Sequence, residues 1–409
     1  MHNLVIVGGG FAGFWAALGA AREVIENAAE IVITVVSKDP FLTVRPRLYE
    51  RDPETLRVPL APAFDALGIR IVEAAVTAID AEDQSLTVER SDGGASKIPY
   101  DRLVLATGSE LRKLPVPGLD RHGFDIDSYR TAIAFDRHLA SVLRTPAAPG
   151  HNTFVILGAG LTGIELATEM RDRIAGHSDP ETAERARIVL VEQADVVGPD
   201  LGANPRPAIE KALRHAAVEL RLGTRIERVE PDAAMLSSGA RVATRSVIVA
   251  AGLRASPLAA ALAVDRDDLG RLPTDDRLRV EGRPHIYAAG DIARATVDDD
   301  HVALMSCQHA MPMGKVAGYN AARALIGLPE KVYRQPVYVT CLDLGRSGAL
   351  FTTGWDRRVV MNGTEAKQRK RRINTQWIYP PQADRDTLLA AAHIDARPGR
   401  PRDSGGVGR

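Results

Sequence analysis

Six glycines stand at spacings that point to chemistry. Gly8, Gly10 and Gly13 read G-x-G-x-x-G, and Gly158, Gly160 and Gly163 repeat the spacing about 150 residues later. At a strand-to-helix turn each glycine of such a run has a task. The first allows the tight turn, the second lets the backbone approach a pyrophosphate, and the third lets the helix pack closely on the sheet. Phe11 and Ala12 in the first run, and Leu161 and Thr162 in the second, are candidate contacts between the glycines, ahead of or at the start of the helix. Unpaired N–H groups and the positive dipole end favour phosphate there. Two runs imply two nucleotide sites; the alternative is that one is a glycine-rich turn without a ligand.

The carboxylates add to this. Glu192 closes the second strand after the second fingerprint, and Gln193 follows it. A carboxylate at that place accepts from both ribose hydroxyls and repels a 2′-phosphate, which favours NAD(H) over NADP(H). The alternative is a strand-end surface acid. At the matching place after the first fingerprint stand Ser37, Lys38 and Asp39. Ser37 or Asp39 can reach a ribose, and Lys38 a pyrophosphate. Small residues close three further strands, at Ala106-Thr107-Gly108, Ala250-Ala251-Gly252 and Ala289-Gly290-Asp291. These are the strand ends where ligands bind in open α/β sheets. Asp291 has a plain alternative as a turn residue. Glu165 is placed in the first turn of the second fingerprint helix, where the helix dipole alone favours a carboxylate. Cys307 and His309 cannot close a tetrahedral zinc site, so no metal is expected.

The elements that must position these residues follow from the pattern. Leu4 to Val7 is a β-branched apolar run, fitting a strand buried on both faces. Helices are expected over 14–25, 127–143, 161–174 and 315–326. Strands are expected over 30–36, 69–76, 85–88, 97–100, 153–157, 187–192 and 285–291. Val76 ends the second of these. Residues 115–118 read as a linker and 146–150 as a boundary. From residue 331 the pattern changes to strand-like stretches at 333–340 and 348–351. A basic, helix-prone stretch follows at 365–379, with Ala366, Ile373 and Trp377 able to share one face. Basic residues beside a Trp-Ile-Tyr patch can lie on an anionic membrane surface, or the helix can dock its aromatics on its own protein. The tail at 397–409 is rich in Gly, Pro and Arg and is expected to be disordered.

The chain has 409 residues, enough for two or three domains. With 52 Lys+Arg against 52 Asp+Glu, no global charge argues for nucleic acid. No apolar run reaches the roughly 18 residues a spanning helix needs. No signal peptide is expected, because the first strand begins at Asn3. Cys307 and Cys341 form no C-x-x-C pair, which fits a reducing, cytoplasmic compartment and argues against a dithiol redox enzyme. A two-fold homodimer is the default assembly.

Taken in order, residues 8–13, 106–108, 158–163, 250–257 and 289–291 resemble the two-dinucleotide-binding flavoprotein superfamily. In detail the chain is similar to the type II NADH dehydrogenases, single-subunit NADH:quinone oxidoreductases carrying FAD. Ala250-Ala-Gly-Leu-Arg-Ala-Ser-Pro257 and Gly160-Leu-Thr-Gly-Ile-Glu165 are the most family-specific runs. The resemblance spans residues 3–322. It implies an α/β fold of two Rossmann-like domains plus a small C-terminal α+β domain. FAD would lie on 1–118 and 270–327, NADH on the inserted 150–257, and a dimer or membrane-surface contact on 331–396. It implies flavin contacts for Arg45 (otherwise a solvated arginine), Val76, Thr107, Gly290, Asp291 and the run Gln308, His309, Ala310. It implies that Glu165 and Gln308 serve quinone reduction. The family's Ala-Gln-x-x-x-Gln motif reads here Cys307-Gln-His-Ala-Met-Pro312, keeping the first glutamine and placing proline at the second.

Overall fold

The computed structural model describes residues 1–144 and 148–396. The expected boundary at 146–150 lies partly, and the tail wholly, outside them. Strand β1 (His2–Val7) buries Leu4 through Val7, as a strand covered on both faces must. It pairs in parallel with Ile31–Ser37 on one side and Arg102–Leu105 on the other. Arg70–Glu73 extends the sheet at one edge; Arg283–Ala288, with a short antiparallel partner at Arg279–Val280, extends it at the other. One six-stranded sheet thus joins segments far apart in sequence.

Helix α1 (Phe11–Glu26) begins right after Gly10, earlier than expected. A second, five-stranded parallel sheet has β2 (Thr153–Leu157) at its centre, between Ser246–Val249 and Arg187–Val191. Helix α2 (Leu161–Ala175) follows β2. Both fingerprints therefore sit at the carboxyl end of an interior strand of a parallel sheet. This is the α/β arrangement of Rossmann-like nucleotide-binding folds.

The stretch 69–76 is not one strand. Arg70–Glu73 stays in the first sheet, while Ala75–Asp80 joins Ser85–Glu89 and Ala95–Pro99 in a separate antiparallel sheet. Buried Ala74 marks the change of sheet, its N–H still bonded to Ser37 O at 2.9 Å.

Helix α3 (Cys307–Leu325) also starts earlier than expected and carries Pro312 inside it. It lies along α1 at backbone contact. A Cβ on Gly314 would come within 2.1 Å of Ala12 O, and one on Gly318 within 1.9 Å of Ala16 O.

Beyond α3 lies a three-stranded antiparallel sheet of β3 (Val339–Asp343), Ala349–Thr353 and Arg358–Asn362. The strand expected at 333–340 begins only at Val339. Before it, Tyr333 and Gln335 give their N–H groups to Asp276 O and Val297 O, and Pro336 has none to give. Helix α4 (Gly363–Arg372) ends in a π-turn, Ile373–Trp377, which breaks the face expected for Ala366, Ile373 and Trp377. Ala366 is fully buried, whereas Ile373 and Trp377 are partly exposed. Among the described residues no helix is long and apolar enough to cross a membrane.

Candidate functional site

The two glycine turns have matching sterics. Gly8 and Gly158 sit at φ +113° and +105°, where a side chain is strained. A Cβ on Gly13 would lie 1.8 Å from Gly8 O, and one on Gly163 1.8 Å from Gly158 O. At Gly10 and Gly160 a Cβ would meet nothing within 4 Å. The chain itself needs the first and third glycine of each run. The second faces open space, beside helix N–H groups that no side chain caps.

Around the first turn the strand ends converge. A Cβ on Gly8 would be 2.4 Å from Ala106 O, and one on Gly290 would be 2.8 Å from Ala12 Cβ and 3.5 Å from Ala310 Cβ. Gly108, at φ +68°, also opens on empty space. The buried Thr107 hydroxyl has no hydrogen-bond partner among the described residues. A cradle with open glycines and an unpartnered buried hydroxyl fits a dinucleotide such as FAD. Ser37 is buried, its Oγ 2.7 Å from where a Cβ on Gly9 would stand. Lys38 is exposed, and Asp39 pairs with Arg57 at 2.7 Å. Val76 lies in the separate antiparallel sheet, opposite Val88.

Arg45 and Asp291 are both partly buried and bonded to their neighbours. Arg45 donates to Ser109 Oγ at 2.9 Å and pairs with Asp127. Asp291 Oδ2 accepts from Ser109 Oγ at 2.6 Å and lies 3.8 Å from Arg45 Nη1. Burial raises the Asp291 pKa, with Ser109 and Arg45 opposing.

At the second turn Ala251 and Ala250 crowd Gly158 and Gly163, and Gly252 takes φ +74°. Glu192 is buried rather than a surface acid. Its Oε2 accepts from Ala159 N at 2.8 Å and its Oε1 from Ala194 N at 3.0 Å. The carboxylate is thereby fixed across the turn. Leu161 is half-buried and Thr162 exposed at the helix mouth.

Glu165 lies past the first turn of α2, not in it, because the helix begins at Leu161. Side chains rather than the dipole hold it. It is 2% exposed, and its Oε1 accepts from Lys370 Nζ at 2.7 Å and from Asp343 N at 3.0 Å. Lys370 Nζ also donates to Cys341 O at 2.9 Å. One helical turn on, Glu169 accepts from Lys367 Nζ at 2.6 Å, and Lys367 pairs with Asp343 as well. Tyr49 OH donates to Asp343 Oδ2 at 3.3 Å. Burial pushes the Glu165 pKa up to about 7, with Lys370 pulling it back. Burial, then Asp343, pushes Glu169 up to about 7. Burial would lower Lys370, but Glu165 beside it leaves it raised.

The sequence alone missed Lys367, Lys370, Asp343 and Tyr49. Lys367 and Lys370 stand in a basic run that reads as a solvated face. The one readable signal was Glu165 and Glu169, four apart on a single helix face.

At the start of α3, Gln308 Oε1 accepts from Val339 N at 3.3 Å, and its Nε2 has no partner among the described residues. His309 is 1% exposed; Ser306 Oγ lies 3.0 Å from its Nδ1, and its Nε2 is unpartnered among the described residues. Its ring stacks with Tyr338 at 5.6 Å. Burial lowers its pKa to about 4, so the ring is neutral. Burial pushes the Cys307 and Cys341 thiols up to about 11. Val339 and Asp343 end the same short strand, about 13 Å long at 3.3 Å per residue. So β3 touches Gln308 at one end and Glu165 at the other.

Paired glycine turns, each at the carboxyl end of an interior strand with parallel neighbours, define a Rossmann-like nucleotide-binding fold. The family model for pyridine nucleotide-disulphide oxidoreductases matches residues 2–314, and the chain belongs to that family. It is 45% identical over 402 residues to an NADH dehydrogenase-like protein of Mycobacterium tuberculosis, covering 97% of this chain and 100% of that one. Its fold is similar to that of NDH2 from Plasmodium falciparum in complex with NADH, with a TM-score of 0.76, 13% identity, and 98% and 100% of the two chains covered. It is likewise similar to the sulfide:quinone oxidoreductase of Aquifex aeolicus, with a TM-score of 0.76, 17% identity, and 95% and 93% covered.

Proposed function

We propose that this chain is an FAD-dependent NADH dehydrogenase that passes electrons from NADH through flavin to a quinone. The carrying observation is the pair of glycine turns, each open at its middle glycine, with Glu192 fixed across the second. We assign FAD to residues 1–118 and 270–327, NADH to 150–257, and acceptor contacts to α3 and the C-terminal unit, 331–396. Gly8 to Gly13, Ser37, Lys38, Arg45, Val76, Thr107, Gly108, Gly290 and Asp291 would hold FAD. The chemistry FAD would supply there is hydride acceptance from NADH and two-electron transfer to the acceptor.

The chain's own residues do the rest. Glu192 receives the adenosine ribose of NADH and repels a 2′-phosphate. Glu165, whose pKa burial raises to about 7, would give a proton to the reduced acceptor. Lys370 orients that carboxylate. Gln308 offers its free Nε2 to a carbonyl oxygen of the acceptor. The raised thiols speak against sulfide chemistry, which needs thiolates. Any contact with an anionic membrane surface rests on Arg371 and Arg372, because Lys367 and Lys370 turn inward and Arg47 donates to Tyr379 OH at 2.8 Å.

Anaerobic stopped-flow at the flavin absorbance tests this reading. NADH should bleach the flavin quickly and NADPH slowly, and a soluble quinone should restore the colour. No bleaching by either nucleotide would sink the NADH assignment. Bleaching without quinone reversal would sink the acceptor assignment.

A further inference from the structure

Pro312 lies inside α3, and proline has no N–H. In an α-helix that N–H would serve the carbonyl four residues back, here Gln308. A carbonyl left unpaired away from water is costly. Gln335 supplies the missing donor, its Nε2 reaching Gln308 O at 3.1 Å. Gln335 is itself fixed. Its main-chain N–H donates to Val297 O at 2.8 Å, and its Oε1 accepts from Tyr333 OH at 2.8 Å. Farther along the same segment, Val339 N–H donates to Gln308 Oε1 at 3.3 Å. An N–H can only donate, so this bond fixes which end of the Gln308 amide is oxygen. The NH₂ end is left unpartnered among the described residues.

We infer that Gln335 is a positioning residue: it stands in for the donor that Pro312 removes and so holds Gln308 with its NH₂ group turned toward the electron acceptor. The inference rests on the reading of Gln308 as an acceptor-side residue. It gives Pro312 a role in place of the second glutamine of the related motif. Proline frees the carbonyl, and Gln335 uses it to tie the start of α3 to the segment that becomes β3. That strand then reaches Glu165 through Asp343 N. Gln308 and Glu165 are thus spaced by one stretch of main chain, residues 335–343.

The test uses the FAD-loaded enzyme as wild type, Q335A, P312A and P312A/Q335A. In the P312A background the new N–H takes the Gln308 carbonyl in the ordinary helical way. Flavin reduction by NADH and reoxidation by a soluble quinone are followed separately by stopped-flow, and melting temperatures are recorded. Q335A should be reoxidised about tenfold more slowly, with NADH reduction within about twofold of wild type. P312A/Q335A should recover to within about twofold of wild type. Q335A should lower the melting temperature when Pro312 is present and leave it unchanged in the P312A background. Wild-type reoxidation in Q335A, or a double variant as slow as Q335A, overturns the inference. If Q335A does not fold, P312A and P312A/Q335A must match in rate, and a difference overturns it. A wild type that NADH reduces but quinone does not reoxidise sinks the functional reading instead. The melting cycle then still decides the pairing, which falls if the two substitutions simply add.

Discussion

Lys370 Nζ lies 2.7 Å from Glu165 Oε1, although 205 residues separate them in the chain. Both are buried, and their bond locks the C-terminal unit onto the second fingerprint helix. Above about pH 7, where Glu165 is ionised, removing Lys370 leaves an uncompensated buried charge, which costs about 3–5 kcal/mol. Lys370→Met should therefore destabilise the protein strongly in denaturant titrations. Lys370→Met with Glu165→Gln should recover much of that loss. A double variant no more stable than Lys370→Met would show that an unpaired Glu165 charge is not the source of the loss.

The same carboxyl gives a pH signature. Glu165 is raised to about 7, so its acid form persists well above the usual carboxylate range and disappears as pH rises through about 7. If that proton goes to the acceptor, quinone reduction should be fastest below pH 7 and fall above it. Glu165→Gln should slow reoxidation about 100-fold and flatten the profile. The stability sign agrees: between the ordinary carboxylate value and about 7 the folded state binds the extra proton, so this group's contribution to stability falls as pH rises through that window. A wild-type reoxidation rate constant across about pH 5–9 would exclude this role.

Three glycine substitutions separate folding from binding. Gly13→Ala drives a methyl to 1.8 Å from Gly8 O and should yield little folded protein. Gly10→Ala meets nothing in the chain, so it should fold yet purify with little FAD. Gly160→Ala should retain FAD and raise the KM for NADH about tenfold or more. The flavin-to-protein absorbance ratio and steady-state kinetics read all three, and a fully flavinated Gly10→Ala would argue against the assignment.

Coenzyme choice should follow Glu192. Glu192→Ala removes the acceptor for the ribose hydroxyls and should raise the KM for NADH about tenfold. Adding Gln193→Arg should then turn preference toward NADPH. Unchanged discrimination in both variants would mean that the Glu192 carboxylate serves only Ala159 N and Ala194 N.

The cysteines should be dispensable. Burial keeps both thiols protonated near neutrality. Cys307→Ser with Cys341→Ser should leave NADH oxidation within about twofold of wild type. A large loss would reopen sulfur chemistry at this site.

What the sequence showed follows the range of the forces involved. The glycine turns were legible because their demands are local: Gly8, Gly13, Gly158 and Gly163 each answer to backbone a few residues away or at the neighbouring strand end. Glu192 was legible because its place at a strand end is set by strand length. Lys370 was not, because nothing near it in sequence distinguishes a lysine that turns inward from its exposed neighbours Arg371 and Arg372. The early start of α3 was hidden by Pro312, which reads as a breaker until Gln335 is known to serve the freed carbonyl. The division of 69–76 between two sheets turned on Ala74, whose role depends on packing alone.

The contact of Gly314 and Gly318 with the backbone of Ala12 and Ala16 also bears on how the molecule is made. A ribosome makes the first glycine turn about 300 residues before the helix that backs it, which is complete at its contact only once Gly318 has been translated. Until Ala288 has been made, Arg102–Leu105 also lacks its partner Arg283–Ala288 and presents an unpaired sheet edge. The first sheet is therefore left unfinished while the whole of the second is made, an interval in which its open edge is exposed to wrong partners.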